Sequence, residues 1–284
     1  MPPAGTPFGD RLAGLVAGRE SQVVLGLDPD PANLWPQAAG DVAAHCRAVI
    51  DAAAEACVAV KPQVACFERL GVAGWRALHD TIAYAHDAGL LVLADAKRGD
   101  IDISARRYAE AFLAPGGLEA DALTVSPYLG ADSLEPFLAA ARAAGAGLFV
   151  LVRTSNAGAA DVQDLELATG GRVWERVAEL VDGLGAAGSQ SGLHEVGAVV
   201  GATAPEHLAR ARELMPRSVF LLPGIGAQGG RVEDVAPAFA PGRAGGLVTS
   251  SRSIVFAHER QGGEPAAAAR AEAERLRAAA WALA

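Results

Sequence analysis

Paired cysteines are missing from this chain. Cys46, Cys57 and Cys66 contain no CxxC spacing and are odd in number, which argues against the disulfide framework that small secreted domains rely on. They read as core residues of a cytosolic protein, and a cytoplasmic location is expected. Basic charge is also scarce, with 24 Lys and Arg against 33 Asp and Glu and a formal net charge of -9. Nonspecific nucleic-acid binding, which needs clustered cations to neutralise phosphates, is therefore not expected. One positioned arginine with backbone donors can still hold a single phosphate against that overall charge. No stretch of membrane-span length is free of charge and glycine, and residues 1–14 lack a basic region followed by an apolar run. Neither insertion nor export is expected. His45, His79, His86, His194, His207 and His258 show no HxH or HExxH spacing, so packed or solvated side chains are the default and no metal site is expected.

What is present is a large apolar core. The 284 residues are 51% hydrophobic and 20% charged, a composition of fully globular proteins, and the length suits one α/β barrel. Eight apolar runs stand out: 23–27, 57–60, 90–94, 122–125, 147–152, 196–200, 219–222 and 246–249. Several are apolar throughout, as strands buried on both faces of a parallel sheet must be. Helical periodicity fills the gaps at 41–56, 74–88, 103–114, 132–144, 172–187, 205–214 and 231–239, ending in an Ala-rich segment at 264–283. Eight alternations favour a single (β/α)8 TIM barrel spanning 1–284 over a doubly wound sheet, with an N-terminal helix at about 8–18. The widest interval between strands holds TSNAGAADVQDLELATGG at 154–171, which suits either a lid over the catalytic face or a surface insertion.

In such a barrel the polar residues that follow each strand face the site. Here they are Asp28, Lys61, Asp95 with Lys97, Thr154 to Asn156, Gly224 to Gln228, and Ser250 to Arg252. Asp95 and Lys97 are two apart on an extended run and so share a face. Lys61 should lie on the neighbouring strand roughly 5 Å away. Any one such pair could be a salt bridge capping the barrel. The complete set argues for use, because buried charge is costly unless paired or functional.

The run Asp95-Ala96-Lys97-Arg98-Gly99-Asp100-Ile101 resembles the motif of the orotidine 5'-phosphate decarboxylase family, in a branch found in many bacteria. The resemblance extends along nearly the whole chain through LGLDPD at 25–30, VKPQ at 60–63, TVSPYLG at 124–130, VRTSN at 152–156, PGIGAQGG at 223–230 and TSSRSI at 249–254. It implies cofactor-independent decarboxylation of orotidine 5'-monophosphate to UMP and CO2, the last step of de novo UMP biosynthesis, in a homodimer with shared sites. Lys61, Asp95, Lys97 and Asp100 match the catalytic tetrad, with Lys97 protonating C6. Asp100 and Ile101 would reach into the partner's site. Asp28 matches the ribose contact, Ser104 stands where the family usually has Thr near the pyrimidine, and Ser155 matches a pyrimidine contact. Pro223, Gln228 and Arg252 fall at substrate contacts, the last two at the phosphate, with backbone near Ser251 assisting. Ser251 stands where other branches often have Gly.

Other features have plainer readings. Gly224 to Gly229 matches GxGxxG, but it follows the seventh strand, where its glycines suit backbone approach to a phosphate better than a dinucleotide domain. Arg98 is expected on the opposite face in a structural ion pair, Arg106 and Arg107 on a helix surface, and Trp35, Trp75, Trp174 and Trp281 in packing. The competing activities are a divalent-cation-dependent decarboxylase or aldolase resembling the ketogulonate-phosphate and hexulose-phosphate enzymes, and a non-catalytic phosphate sensor.

Overall fold

The computed structural model describes residues 6–186, 189–203, 205–226 and 229–284. In chain order, α1 (Phe8–Arg19) precedes β1 (Val23–Leu27), and α2 (Val42–Ala53) leads to β2 (Ala59–Pro62). α3 (Val64–Glu68) and α4 (Gly71–Asp87) lead to β3 (Leu91–Arg98), and α5 (Asp102–Leu113) to β4 (Ala122–Val125). α6 (Ala131–Ala144) precedes β5 (Gly147–Arg153), α7 (Val173–Leu184) precedes β6 (Val196–Val200), and α8 (Pro205–Leu214) precedes β7 (Phe220–Leu222). β8 (Gly246–Ser250) is followed by α9 (Arg252–Val255), α10 (Ala257–Gln261) and α11 (Pro265–Leu283). The strands pair in parallel in chain order and β8 returns to β1, closing the barrel.

Strand alternation sorts the core into two shells. Val24, Ala59, Leu91, Leu93, Ala122, Phe149, Val199, Leu221 and Leu247 cluster with Phe8, Leu12 and Val16 of α1, which plugs the N-terminal end of the barrel. The intervening positions, among them Val23, Leu25, Val60, Val92, Leu123 and Val150, pack against the surrounding helices. Phe8 meets Phe149 edge-on at 5.9 Å, and Arg11 of α1 pairs with Asp121 ahead of β4. With that end closed by apolar side chains, polar residues on the inward-facing rows are left at the C-terminal mouth. Lys61 stands two residues beyond Ala59, Asp95 two beyond Leu93, and Thr124 two beyond Ala122.

Two local expectations change. Residues 231–239 carry a helical period but form a 3-10 segment, Val232–Phe239, with Pro237 inside it. Proline supplies no N–H and crowds the carbonyl four residues back, which disfavours a regular α-helix at that point. β3 runs on to Arg98, past the apolar run and through the charged motif. Most of the plainer expectations hold, although Trp75 is 39% exposed and Cys66 only half-buried. The three cysteines are free thiols, Cys46 and Cys57 buried, and burial pushes both thiols up to about 12. Arg98 pairs with Glu68 and lies over Tyr108 and Phe112. Trp35 is buried with its indole N–H on the Val255 carbonyl, and His45 beside it accepts from the Trp35 amide.

Candidate active site

At the barrel mouth one carboxylate collects four side-chain donors. Asp95 Oδ2 accepts from Lys61 Nζ at 2.7 Å and from Gln63 Nε2 at 3.1 Å. Asp95 Oδ1 accepts from Lys97 Nζ at 2.5 Å and from Thr124 Oγ1 at 3.1 Å. The elements explain the grouping. β2 brings Lys61 against β3, and Gln63, just past the end of β2 and two residues beyond Lys61, pairs with Asp95 in a bridge. β4 brings Thr124 from the other side.

The two lysines differ in exposure. The Lys61 side chain is 9% exposed and that of Asp95 8%, whereas Lys97 is 45% exposed. Lys61 and Asp95 thus form a buried base on which Lys97 presents its ammonium to the mouth. Burial works against the charged form of Asp95, but the Lys61 and Lys97 ammoniums outweigh it and hold the carboxyl down at about 2. Burial likewise opposes the Lys61 charge, and Asp95 together with Asp28 raises it above the ordinary lysine value. The set Lys61, Asp95 and Lys97 carries a net charge of one positive unit, with its free donor capacity on Lys97.

Lys97 reaches this position by an unexpected backbone. The register between β3 and β4 shifts between Ala94 and Arg98, and Lys97 sits at φ 48°, in the left-handed region. The expectation that Asp95 and Lys97 share a face is met, though through a bulge and not a regular extended run. A non-glycine residue held there costs of order 1–3 kcal/mol and persists only where its surroundings fix it.

Of the remaining expected residues, Asp28 follows β1 next to this cluster, and its charge acts on Lys61. Ser251 and Arg252 follow β8 on the adjoining strand. Ser251 has a negative φ, -116° with ψ -84°, so it does not require glycine, and the space for its side chain comes from Gly26, where a Cβ would fall 2.6 Å from Ser251 Cβ. Pro223 follows β7, its carbonyl accepting from Ala202 N. Ser155 follows β5, and its carbonyl accepts from Thr203 Oγ1 at 3.3 Å. Gly224 and Gly226 have φ of 99° and 79°, a turn open to backbone approach, while Gln228 lies outside the described residues. The 154–171 segment is tied to the end of β5: Arg153 makes two bonds to Asp164, at 2.9 and 2.8 Å, and Thr154 N donates to Gln163.

Three expected residues are not brought to the cluster. Asp100 and Ile101 occupy the turn before α5, and Ser104 its exposed first turn. Asp100 accepts only from the Ile101 amide and makes no ion pair among the described residues. Ile101 is 51% exposed and Ile103 70%.

Comparison with known proteins identifies the family. The family model described as orotidine 5'-phosphate decarboxylase / HUMPS family matches residues 21–271. The orotidine 5'-phosphate decarboxylase of Haloarcula marismortui is 49% identical over 257 residues, 89% of this chain and 88% of its own. The chain belongs to the orotidine 5'-phosphate decarboxylase / HUMPS family. Solved structures agree: the Leishmania donovani OMP decarboxylase superposes with a TM-score of 0.75 at 35% identity, covering 97% of this chain and 99% of its own. A crystal structure from Streptomyces avermitilis gives 0.84 at 35% identity, covering 98% and 96%.

In this family member two site residues escaped the sequence reading, Gln63 and Thr124. Each carried a signal. Gln63 stands two residues beyond Lys61, and Thr124 is the only polar residue of β4. A stronger signal lay in the composition, since Lys61 and Lys97 are the chain's only two lysines among 24 basic residues. Both stand at one carboxylate.

Proposed function

We propose that the chain decarboxylates orotidine 5'-monophosphate to UMP and CO2, completing de novo UMP synthesis, without metal or organic cofactor. The observation that carries this is the exposed Lys97 ammonium held on a buried Lys61–Asp95 pair at the barrel mouth. Breaking the bond between C6 and its carboxylate leaves the electron pair in an sp2 orbital that the ring cannot delocalise well. A fixed ammonium beside C6 stabilises that charge as it forms, and then transfers a proton from Nζ to carbon. Solvent restores the lysine.

Asp95 would face the substrate carboxylate, and two unit charges near 4 Å repel by roughly 4 kcal/mol at an effective dielectric of about 20. The lysine contacts to both of its oxygens offset that repulsion here, so carbanion stabilisation ranks above ground-state repulsion. Arg252, Gln228 and the backbone near Ser251 would hold the phosphate, with Pro223 alongside, and Asp28 the ribose. Ser155 and Ser104 would meet the pyrimidine. Binding energy from these remote contacts would close loops over the reacting carbon.

Both Asp95 oxygens are occupied by nitrogen and hydroxyl donors, which leaves the carboxylate poorly placed to serve a cation. Loss of orotidine 5'-monophosphate absorbance should therefore proceed unchanged in excess chelator. Turnover only after divalent-cation addition would favour the metal-dependent alternative.

We also propose a homodimer in which Asp100 and Ile101 complete the partner's site. The support is the exposure of Ile101 and the lack of any hydrogen bond or ion pair between Asp100 and the Lys61, Asp95 and Lys97 cluster among the described residues. Lys97→Ala and Asp100→Ala protomers, each inactive alone, should regain activity on subunit exchange. Random assortment restores about a quarter of the native sites. No recovery in verified mixed dimers would place Asp100 outside the shared site.

A further inference from the structure

The left-handed backbone at Lys97 needs an explanation that neither the ion pairs nor the strand ladder supplies. Its N–H donates to Thr124 Oγ1 at 2.9 Å, and the same hydroxyl donates to Asp95 Oδ1 at 3.1 Å. Asp95 Oδ1 in turn accepts from Lys97 Nζ at 2.5 Å. A ring is closed through both ends of one lysine: its amide reaches the threonine hydroxyl, the hydroxyl reaches the carboxylate, and the carboxylate reaches its ammonium. The polarity is determined, because a hydroxyl that accepts from an N–H has its single proton free for an ionised carboxylate. Thr124 is 1% exposed, so it lies at the floor of the mouth, beneath the exposed Lys97 ammonium.

We propose that Thr124 is a positioning residue whose hydroxyl holds the Lys97 backbone in its bulged conformation and so sets where the ammonium stands. The inference deepens the proposed decarboxylation and rests on it for its catalytic consequence. Three observations converge. The register shift takes the Lys97 segment out of regular pairing with β4. The positive φ at a lysine is strained and needs a partner to persist. The partner is a β-branched residue, whose restricted χ1 fixes the hydroxyl. Without it, the Lys97 N–H would lose its partner and Asp95 one of its four donors. Lys97 would then relax toward an extended backbone, which moves its side chain relative to the substrate.

Because the chain has only two lysines, protein labelled with 15N-lysine gives two backbone amide signals, one from Lys97 and one from Lys61. Thr124→Val keeps shape and removes the hydroxyl, and Thr124→Ser keeps the hydroxyl. In T124V the Lys97 amide should shift and exchange with solvent at least about tenfold faster, while the Lys61 signal stays in place. Turnover of orotidine 5'-monophosphate should fall about 10- to 100-fold in kcat with KM within about threefold, as a misplaced catalytic group demands. T124S should restore most of the exchange protection and most of kcat. Unchanged Lys97 exchange in T124V, equal losses in T124V and T124S, or movement of both lysine signals would overturn the proposal. If wild-type protein fails to turn over the substrate, the proposed reaction falls, and the amide signals still decide whether Thr124 holds Lys97.

Discussion

Lys97→Ala is expected to lower kcat/KM for orotidine 5'-monophosphate by about 10^4-fold or more while leaving the fold intact. Proton delivery by a positioned group contributes about 10^2–10^4-fold, and a single charge-stabilising donor in a preorganised site about 10^2–10^3-fold. Lys97 is asked to do both. The fold should tolerate its loss because the side chain is 45% exposed. Asp95 would still be held by Lys61, Gln63 and Thr124. Lys97→Arg separates the two contributions. It keeps the charge, but a guanidinium does not give up its proton in proteins, so it should remain severely impaired. Substrate absorbance and circular-dichroism melting of the three proteins check these expectations. Near-normal kcat in Lys97→Ala would remove the lysine from the chemistry.

Asp95→Asn should damage both stability and activity. It strips the counter-charge from Lys61, whose side chain is 9% exposed, and breaking a buried pair by removing one partner typically costs about 3–5 kcal/mol. For a chain of this size that corresponds to a fall in Tm of roughly 5–8 °C. Burial would then push Lys61 toward its neutral form with only Asp28 left to oppose it, and Lys97 would lose its ionic anchor. A loss of about 10^3-fold in kcat/KM is expected. The sign of the pH dependence follows from the depressed Asp95 value of about 2 against an ordinary 3.8. Its contribution is fully present above the unfolded-state value and disappears as pH falls through the folded one. Between about pH 4 and pH 2 the wild type should lose about 2 kcal/mol that Asp95→Asn never had. Denaturant melts across that interval measure the difference, and parallel curves for the two proteins would contradict the ion-pair account.

Much of this was legible in the chain because barrels write their plan locally. Each strand needs apolar residues on both faces, so all eight appeared as short apolar runs, and the charges of the mouth followed at their ends. Lys61, Asp95 and Lys97 could be placed together because strand order and alternation are nearly sufficient to do so. What stayed hidden depends on pairing between distant segments. The bulge at Lys97 exists only in register with β4, and Thr124 and Gln63 matter only as neighbours of Asp95. At 231–239 the apolar period was read correctly, while the segment, with Pro237 inside it, forms a tighter helix. Asp100, Ile101 and Ser104 could be tied to the site only through the family resemblance. Within one protomer they make no bond to the cluster among the described residues, and for Asp100 and Ile101 the proposed dimer would account for that.

The most direct test is the fate of C6. Wild-type enzyme should convert orotidine 5'-monophosphate in D2O with excess chelator to UMP carrying one deuterium at C6, with one CO2 released per UMP, as proton NMR of the isolated product would show. No UMP, or UMP formed only after a divalent cation is supplied, would contradict metal-free decarboxylation at this site.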